Sequence, residues 1–446
     1  MRLTEKRTSM LGLGAAGVLA VAALTAGPVI ANSSGDPGSP PVAWHWVDSW
    51  VSMPQLTEPG NMPPPPFTQD NLALADSTVR QTVHTSVGGT HMRLRFSNAF
   101  GGVDLPITSV SVAHPLGGRA GVSAIQPGTA QPVTFDGRTS VDIPVGAQAV
   151  SDPVDLEVAP ESNLAVTIYL ASGQASNSIT SHPGSRTTSY LIAGSHVTDQ
   201  DLPGATPVDH WYFLSGLEVW SPNTTAGAAI LGDSLTDGRG STTNMNDRWP
   251  DDLLHRLQSD PDTADVAVLN QAAGGNRVLH DGLGPNALGR LDRDVLAQSG
   301  IRWLIVFEGV NDIGTADATA AAQQQDAADL IAAYDQIVTR AHAVGIRVYG
   351  ATITPFGGNI GYDDPAGLRE AARQQVNTWI RTSGRFDAVI DFDRVARDPQ
   401  HPQQLLPAYD VGDHLHLNPL GYHALADAVP ASLFRQLPLP PGFGYR

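Results

Sequence analysis

Ser234 stands in the run Ala229-Ile-Leu-Gly-Asp-Ser-Leu-Thr-Asp-Gly238, directly after an apolar stretch of strand length. A hydroxyl is a poor nucleophile until a neighbouring base removes its proton, so a working serine needs a histidine and something to hold that histidine. The segment Gly412-Asp-His-Leu-His-Leu-Asn-Pro419 supplies both. Asp413 and His416 lie three residues apart, a spacing that can set carboxylate and imidazole side by side in a turn. Such a carboxylate would fix the imidazole tautomer and stabilise the imidazolium during attack. Acyl transfer also needs donors for the oxyanion. Two loops could supply them. In Asn270-Gln-Ala-Ala-Gly-Gly-Asn276 glycine lets backbone N–H groups come close to a ligand, and in Glu308-Gly-Val-Asn-Asp312 the side chain of Asn311 could aim its amide at the same point.

Each feature also has a plainer reading. Ser234 could be a helix N-cap, and either loop a simple turn. His414 and His416, alternating on an extended segment, could face one way with Asp413 and bind a metal. A metal site would leave the serine, glycine and asparagine unexplained. Four such loops in this order, three of them ending consecutive predicted strands, point jointly to serine chemistry that needs neither cofactor nor metal.

These loops require a scaffold. After the linker Ser221-Pro-Asn-Thr-Thr225, strand candidates at 228–231, 266–269, 303–307, 348–353 and 388–392 alternate with helix candidates at 249–258, 316–343, 366–381 and 419 to about 434. This alternation predicts a parallel sheet covered on both faces, whose reactive groups gather at the carboxyl ends of the strands. Residues 44–220 read differently, as short alternating runs broken by turn residues, and predict an all-β sandwich or jelly roll. Within them, Ser77–Ser86 and His91–Phe96 flank Gly88-Gly89 and read as a hairpin.

The region 226–436 resembles the SGNH family of GDSL esterases and lipases, on Gly232-Asp-Ser234, the glycines of Gly274-Gly275, Gly309-Val-Asn311-Asp312, and Asp413 to His416. The resemblance implies an α/β fold, a flavodoxin-like three-layer α/β/α sandwich, and ester hydrolysis through an acyl-enzyme on Ser234. It implies catalytic Ser234, Asp413 and His416, with an oxyanion hole formed by the N–H of Ser234, the N–H of Gly275 and the side chain of Asn311. Ser234 lacks the Gly-x-Ser-x-Gly context, so a tight nucleophile elbow is not indicated. The β-region, with Trp46-Val-Asp-Ser-Trp50 and Phe96-Ser-Asn-Ala-Phe-Gly101, is similar to an extra domain that precedes the catalytic one in some secreted bacterial GDSL proteins. It is expected to shape the rim of the cleft without supplying a catalytic group.

Composition narrows the partners. A basic start ending at Lys6-Arg7, an apolar run from Met10 to Ala26 and a small-residue exit at Ala31 read as a signal peptide over 1–31, followed by a flexible Ser/Gly/Pro leader at 32–43. Residues 437–446 read as a Pro-rich tail. The expected product is secreted, with no stable insertion in a membrane after cleavage. The chain has no cysteine, which excludes thiol catalysis and disulfide staples. Its net charge of −18 repels nucleic acid and anionic bilayers. The partner is then an ester, small or polymer-borne, and the reading leaves open a lipid or short-chain acyl ester against an O-acetylated polysaccharide. A carbohydrate-binding protein on a degenerate hydrolase scaffold is the alternative of another class, and retention of all five site positions speaks against it.

Overall fold

Five apolar runs become the strands of one parallel sheet in the computed structural model, which describes residues 42–435. The expected signal peptide, nearly all of the leader and the Pro-rich tail lie outside those residues. The strands stand side by side in the order Val266–Ala272, Ala226–Gly232, Ile301–Phe307, Arg347–Ala351 and Ala388–Ile390. This is the doubly wound, flavodoxin-like order, with its switch point beside Ala226–Gly232. Every residue of Ala226–Gly232 is buried, as a strand covered on both faces demands.

The helices follow from equally simple patterns. Trp249–Gln258 turns Trp249, Leu253, Leu254 and Leu257 inward, one face of a helical period, and packs against Pro419–Ala428. Asn418 caps that last helix by accepting from Gly421 N, and Pro419 fills its first position, where no N–H is needed. Ala320–Ala343 packs against Leu368–Thr382. It begins later than the expected residue 316 because Thr319 is the cap, accepting from Ala322 N.

The β-region is built chiefly from two antiparallel sheets. One orders Trp44–Val51, Leu214–Pro222, Met92–Ser97 and Gln148–Val150, and the other centres on Ser77–His84 and Asn163–Leu170. Leu94, Phe96, Leu217 and Val219 from the first share a core with Val79, Val83, Leu164, Val166 and Ile168 from the second, which makes a sandwich. The expected hairpin across Gly88-Gly89 does not form. Ser77–His84 and Met92–Ser97 lie in different sheets, and the glycine pair carries the chain between them. A Cβ on Gly88 would come within 2.6 Å of Val158 O, and one on Gly89 within 2.7 Å of Trp220 O. The glycines therefore serve close backbone passage and not a two-residue turn.

The β-region and the parallel sheet share a seam. Val266 and Val268 point into the core of the α/β region, whereas Ala267 and Leu269, on the opposite face of the same strand, belong to the core of the sandwich. The β-region thus covers the sheet where a helix otherwise would. Polar ties reinforce the seam: Asp48 N donates to Ser299 O at 3.1 Å, Asp48 Oδ2 accepts from Ser299 N at 2.7 Å, and Arg95 binds both Asp48 and Glu218.

Candidate active site

Parallel register sets the first alignment. Gly232 lies level with Ala272 on one side and Phe307 on the other, so the three loops that follow leave the sheet at one edge and one height. They carry Ser234, Gly275 and Asn311. Ala273 N donates to Gly232 O at 3.1 Å, which ties the glycine loop to the strand that delivers the serine.

Ser234 opens a single helical turn, Ser234–Asp237, capped by Asp233, whose carboxylate accepts from Leu235 N at 2.9 Å. The cap is Asp233, so the serine hydroxyl is left over for other work. It lies 2.8 Å from His416 Nε2. His416 Nδ1 in turn lies 2.6 Å from Asp413 Oδ2. The other oxygen, Asp413 Oδ1, accepts from Leu415 N and His416 N at 3.0 and 2.8 Å. One carboxylate therefore folds the turn and holds the imidazole, which is the physical content of the Asp-x-x-His spacing.

The charges of this group are set by its surroundings. Burial pushes the His416 imidazole below its usual range, Asp413 works against that shift, and the positive charges of Arg239 and Arg186 add to it. Burial alone would raise the Asp413 carboxyl, but the His416 N–H and imidazole and the Leu415 N–H outweigh it and hold the group below the ordinary carboxylate range.

His414 does not join them. Its backbone is left-handed, with φ of +60°, so the segment is a turn and not the extended run that would align the two histidines. His414 Nδ1 pairs with Asp410 at 2.7 Å, and its side chain is 54% exposed. The convergence of Asp413, His414 and His416 that a metal site required is absent. Among the described residues no group of three or more acidic or histidine side chains is placed to hold a metal ion.

The amide of Asn311 is oriented without ambiguity. Its Nδ2 donates to Asn276 O at 2.8 Å and its Oδ1 accepts from the Tyr362 hydroxyl at 2.6 Å. A backbone carbonyl can only accept, so the nitrogen must face Asn276, and its second hydrogen remains free. Burial raises the Tyr362 phenol to about 12, which keeps it a donor. Gly275 takes φ of +72°, a backbone conformation that favours glycine. The loop around it is pinned: Asn276 donates to Pro285 O and accepts from Arg290, and Asp312 accepts from Val278 N and Leu279 N, both at 2.9 Å.

Behind the serine lies a buried acidic pair that sequence reasoning passed over. Burial raises Asp233 to about 7 and Glu308 to about 8, partly opposed by the Arg290 guanidinium. Arg290 stands 3.7 Å from Glu308, and neither Glu308 carboxyl oxygen has a hydrogen-bond partner.

A second group comes from the β-region. His182 Nε2 lies 3.0 Å from Asp237 Oδ1, on the same helical turn as Ser234, and its Nδ1 lies 3.0 Å from Met53 O. Both ring nitrogens thus face acceptors. Arg186 reaches the other oxygen of Asp237 at 3.1 Å. Burial would raise Asp237, but His182 and Arg186 hold it below its usual range. No spacing rule connects these residues, and Asp237, three after Ser234, was the sole local signal.

No curated protein matches the chain. Solved structures similar to it include an acetyl xylan esterase from Geobacillus stearothermophilus, at 19% identity over 46% of this chain and 94% of that one with a TM-score of 0.35. A GDSL-like lipase from Bacteroides thetaiotaomicron is similar at 15% identity over 45% and 84%, with a TM-score of 0.33. The model of the GDSL-like lipase/acylhydrolase family matches residues 230–424, which span Ser234, Gly275, Asn311, Asp413 and His416. Residues 230–424 are therefore a domain of the GDSL-like lipase/acylhydrolase family, and the chain is an ester hydrolase.

Proposed function

We propose that the chain is an exported serine ester hydrolase that works through an acyl-enzyme on Ser234. The observation that carries this reading is the unbroken path from Ser234 Oγ to His416 Nε2 and from His416 Nδ1 to Asp413, at 2.8 and 2.6 Å. Asp413 is an acceptor, so it fixes the neutral ring's proton on Nδ1 and leaves the Nε2 lone pair facing the hydroxyl. The depressed His416 keeps that lone pair free at neutral pH.

As Oγ bonds to the ester carbonyl carbon, the hydroxyl proton passes to Nε2 and the carbonyl oxygen takes the negative charge. The Ser234 N–H, the Gly275 N–H and the free Asn311 amide hydrogen receive that oxyanion, each such donor being worth about 3–4 kcal/mol. Collapse breaks the bond to the alcohol, which leaves with the proton from Nε2. Water then repeats the sequence and releases the acid. The basic and apolar start of the chain supports export, and with it a substrate outside the cell, either a short-chain acyl ester or an O-acetyl group on a polysaccharide.

The test is Ser234→Ala assayed on 4-nitrophenyl acetate and on acetylated xylan, with circular dichroism as the folding control. Hydrolysis is expected to vanish with the fold intact. Full turnover by a folded variant would overturn the mechanism, and the ratio of the two substrates in the native enzyme separates the two ester classes.

A further inference from the structure

Two arginines with hydrogen-bonding capacity to spare are tied to the helical turn that carries Ser234. Arg186 is delivered by the β-region loop that follows strand Thr180–His182. Its backbone is left-handed, φ +51°, and is held there by Asn244 N donating to Arg186 O at 2.9 Å. The loop lies tightly on the serine helix, since a Cβ on Gly184 would come within 2.0 Å of Asp237. Only one of the three Arg186 nitrogens is used, by Asp237. Its Nε is buried without a hydrogen-bond partner, and the side chain keeps 31% exposure.

Arg239 comes from the other side. It follows the serine helix, with its N–H on Ser234 O at 3.0 Å, and its carbonyl accepts from the Tyr422 hydroxyl at 2.6 Å. The next residue, Gly240, leaves so little room that a Cβ would sit 2.4 Å from Leu417 O, one residue past His416. Arg239 is thus wedged between the serine turn and the histidine loop. Its exposed side chain makes no hydrogen bond or ion pair with the described residues. Arg239 is bound through its backbone to Ser234, and Arg186 through its side chain to Asp237 on the same helical turn, and the positive charge of both bears on the His416 imidazole.

A lone surface arginine needs no explanation. Two tied to the one helical turn that carries Ser234, one of them held in an unfavourable backbone conformation, in a chain of net charge −18, do. We propose that Arg186 and Arg239 form an anion subsite beside Ser234 and His416, and that the preferred ester bears a carboxylate near its scissile bond. The guanidinium fork matches a carboxylate, and such charge-assisted bonds are the strong ones. The β-region then contributes to substrate choice while leaving bond breaking to the α/β domain. This proposal rests on ester hydrolysis at Ser234, and the test keeps the two apart.

The carboxylate has two possible positions, and two substrate pairs distinguish them. On the acyl side, mono-4-nitrophenyl glutarate is compared with 4-nitrophenyl valerate; on the alcohol side, 4-acetoxybenzoate with 4-acetoxybenzamide. In the native enzyme kcat/KM is expected to favour the charged member of one pair by about tenfold or more, the scale of one charge-assisted hydrogen bond. Arg186→Gln and Arg239→Gln should each cut that ratio severalfold, and added salt should lower it in the native enzyme. The ratio cancels any general damage to the active site. A ratio at or below one in both pairs, or one that neither substitution changes, overturns the subsite. Loss of all hydrolysis in Ser234→Ala bears only on the catalytic reading.

Discussion

Replacing His182 by alanine isolates what the β-region does for the serine turn. In the native protein the side chains of His182 and Asp237 are 5% and 2% exposed, so the pair sits out of water. Removing the imidazole strands the Asp237 carboxylate with Arg186 alone, 3.1 Å away and itself partly solvated. Breaking a buried pair by deleting one partner costs about 3–5 kcal/mol. The stacked contact with Trp211, 5.7 Å between ring centroids, is lost as well and adds about 1 kcal/mol at most. Arg186 retains part of the attraction, which places the expected loss near the lower figure, about 3 kcal/mol. That is a large share of the roughly 5–15 kcal/mol that folded proteins possess. Urea unfolding followed by circular dichroism measures it, and kcat/KM on a neutral ester should fall in parallel because Asp237 shares a helical turn with Ser234. Adding Asp237→Asn removes the stranded charge and should recover at least about 1 kcal/mol. A His182→Ala loss below about 1 kcal/mol, or a double variant less stable than the single one, would refute the reasoning.

Four further outcomes follow from the site. The imidazole must be neutral to take the serine proton, so kcat/KM should rise with pH through a midpoint below 6.5, the usual histidine value; Arg239→Gln should move that limb to higher pH and Asp413→Asn to lower pH, and an unmoved limb in both would contradict the assignment. Asn311→Ala should lower kcat by about 100- to 1000-fold, and Tyr362→Phe by less, with KM little changed in either; equal effects would mean that the phenol does more than orient the amide. Glu308 is raised to about 8, so the stability it permits is full below the ordinary carboxylate value and is lost as pH climbs towards 8, by at most about 1.4 kcal/mol per unit; Glu308→Gln should flatten that slope in urea titrations at pH 5, 6.5 and 8, and an unchanged slope would count against it. A chain starting at Thr225 should lack a cooperative unfolding transition, because it bares Leu269 and Ala267 and strips Asp237 of both partners; a folded and fully active fragment would show the seam to be dispensable.

Residues that act through local spacing were legible in the sequence. Asp413 and His416 are joined by one turn, and the serine, glycine and asparagine loops each follow an apolar strand, so pattern and chain order suffice to gather them. The parallel sheet follows from strand and helix alternation in the same way, whereas its flavodoxin-like order was implied only by the resemblance to the SGNH family. What escaped depends on contacts that no period encodes. Alternating residues show that Ser77–His84 and Met92–Ser97 have an inner and an outer face but not which strand lies beside them, so a passage between sheets looked like a hairpin. Tyr362 and Arg186 reach the site from loops and His182 from the end of a strand, and none of these segments carries a catalytic pattern. The rival metal reading of His414 assumed an extended segment, where a left-handed residue in fact turns the chain.

The strand Val266–Ala272 is the outermost of the parallel sheet, and such a margin exposes a row of backbone groups to any other chain that can pair with it. Here that margin is occupied: Val268 O accepts from Ser86 Oγ of the β-region at 2.8 Å, and Val266 O from Gln258. The run Val266-Ala-Val-Leu is short, apolar and uncharged, the composition that stacks readily between molecules once it is bared. The accessory half of the protein thereby works as a guard against self-association, and loosening of that half would open the molecule to aggregation at this one strand.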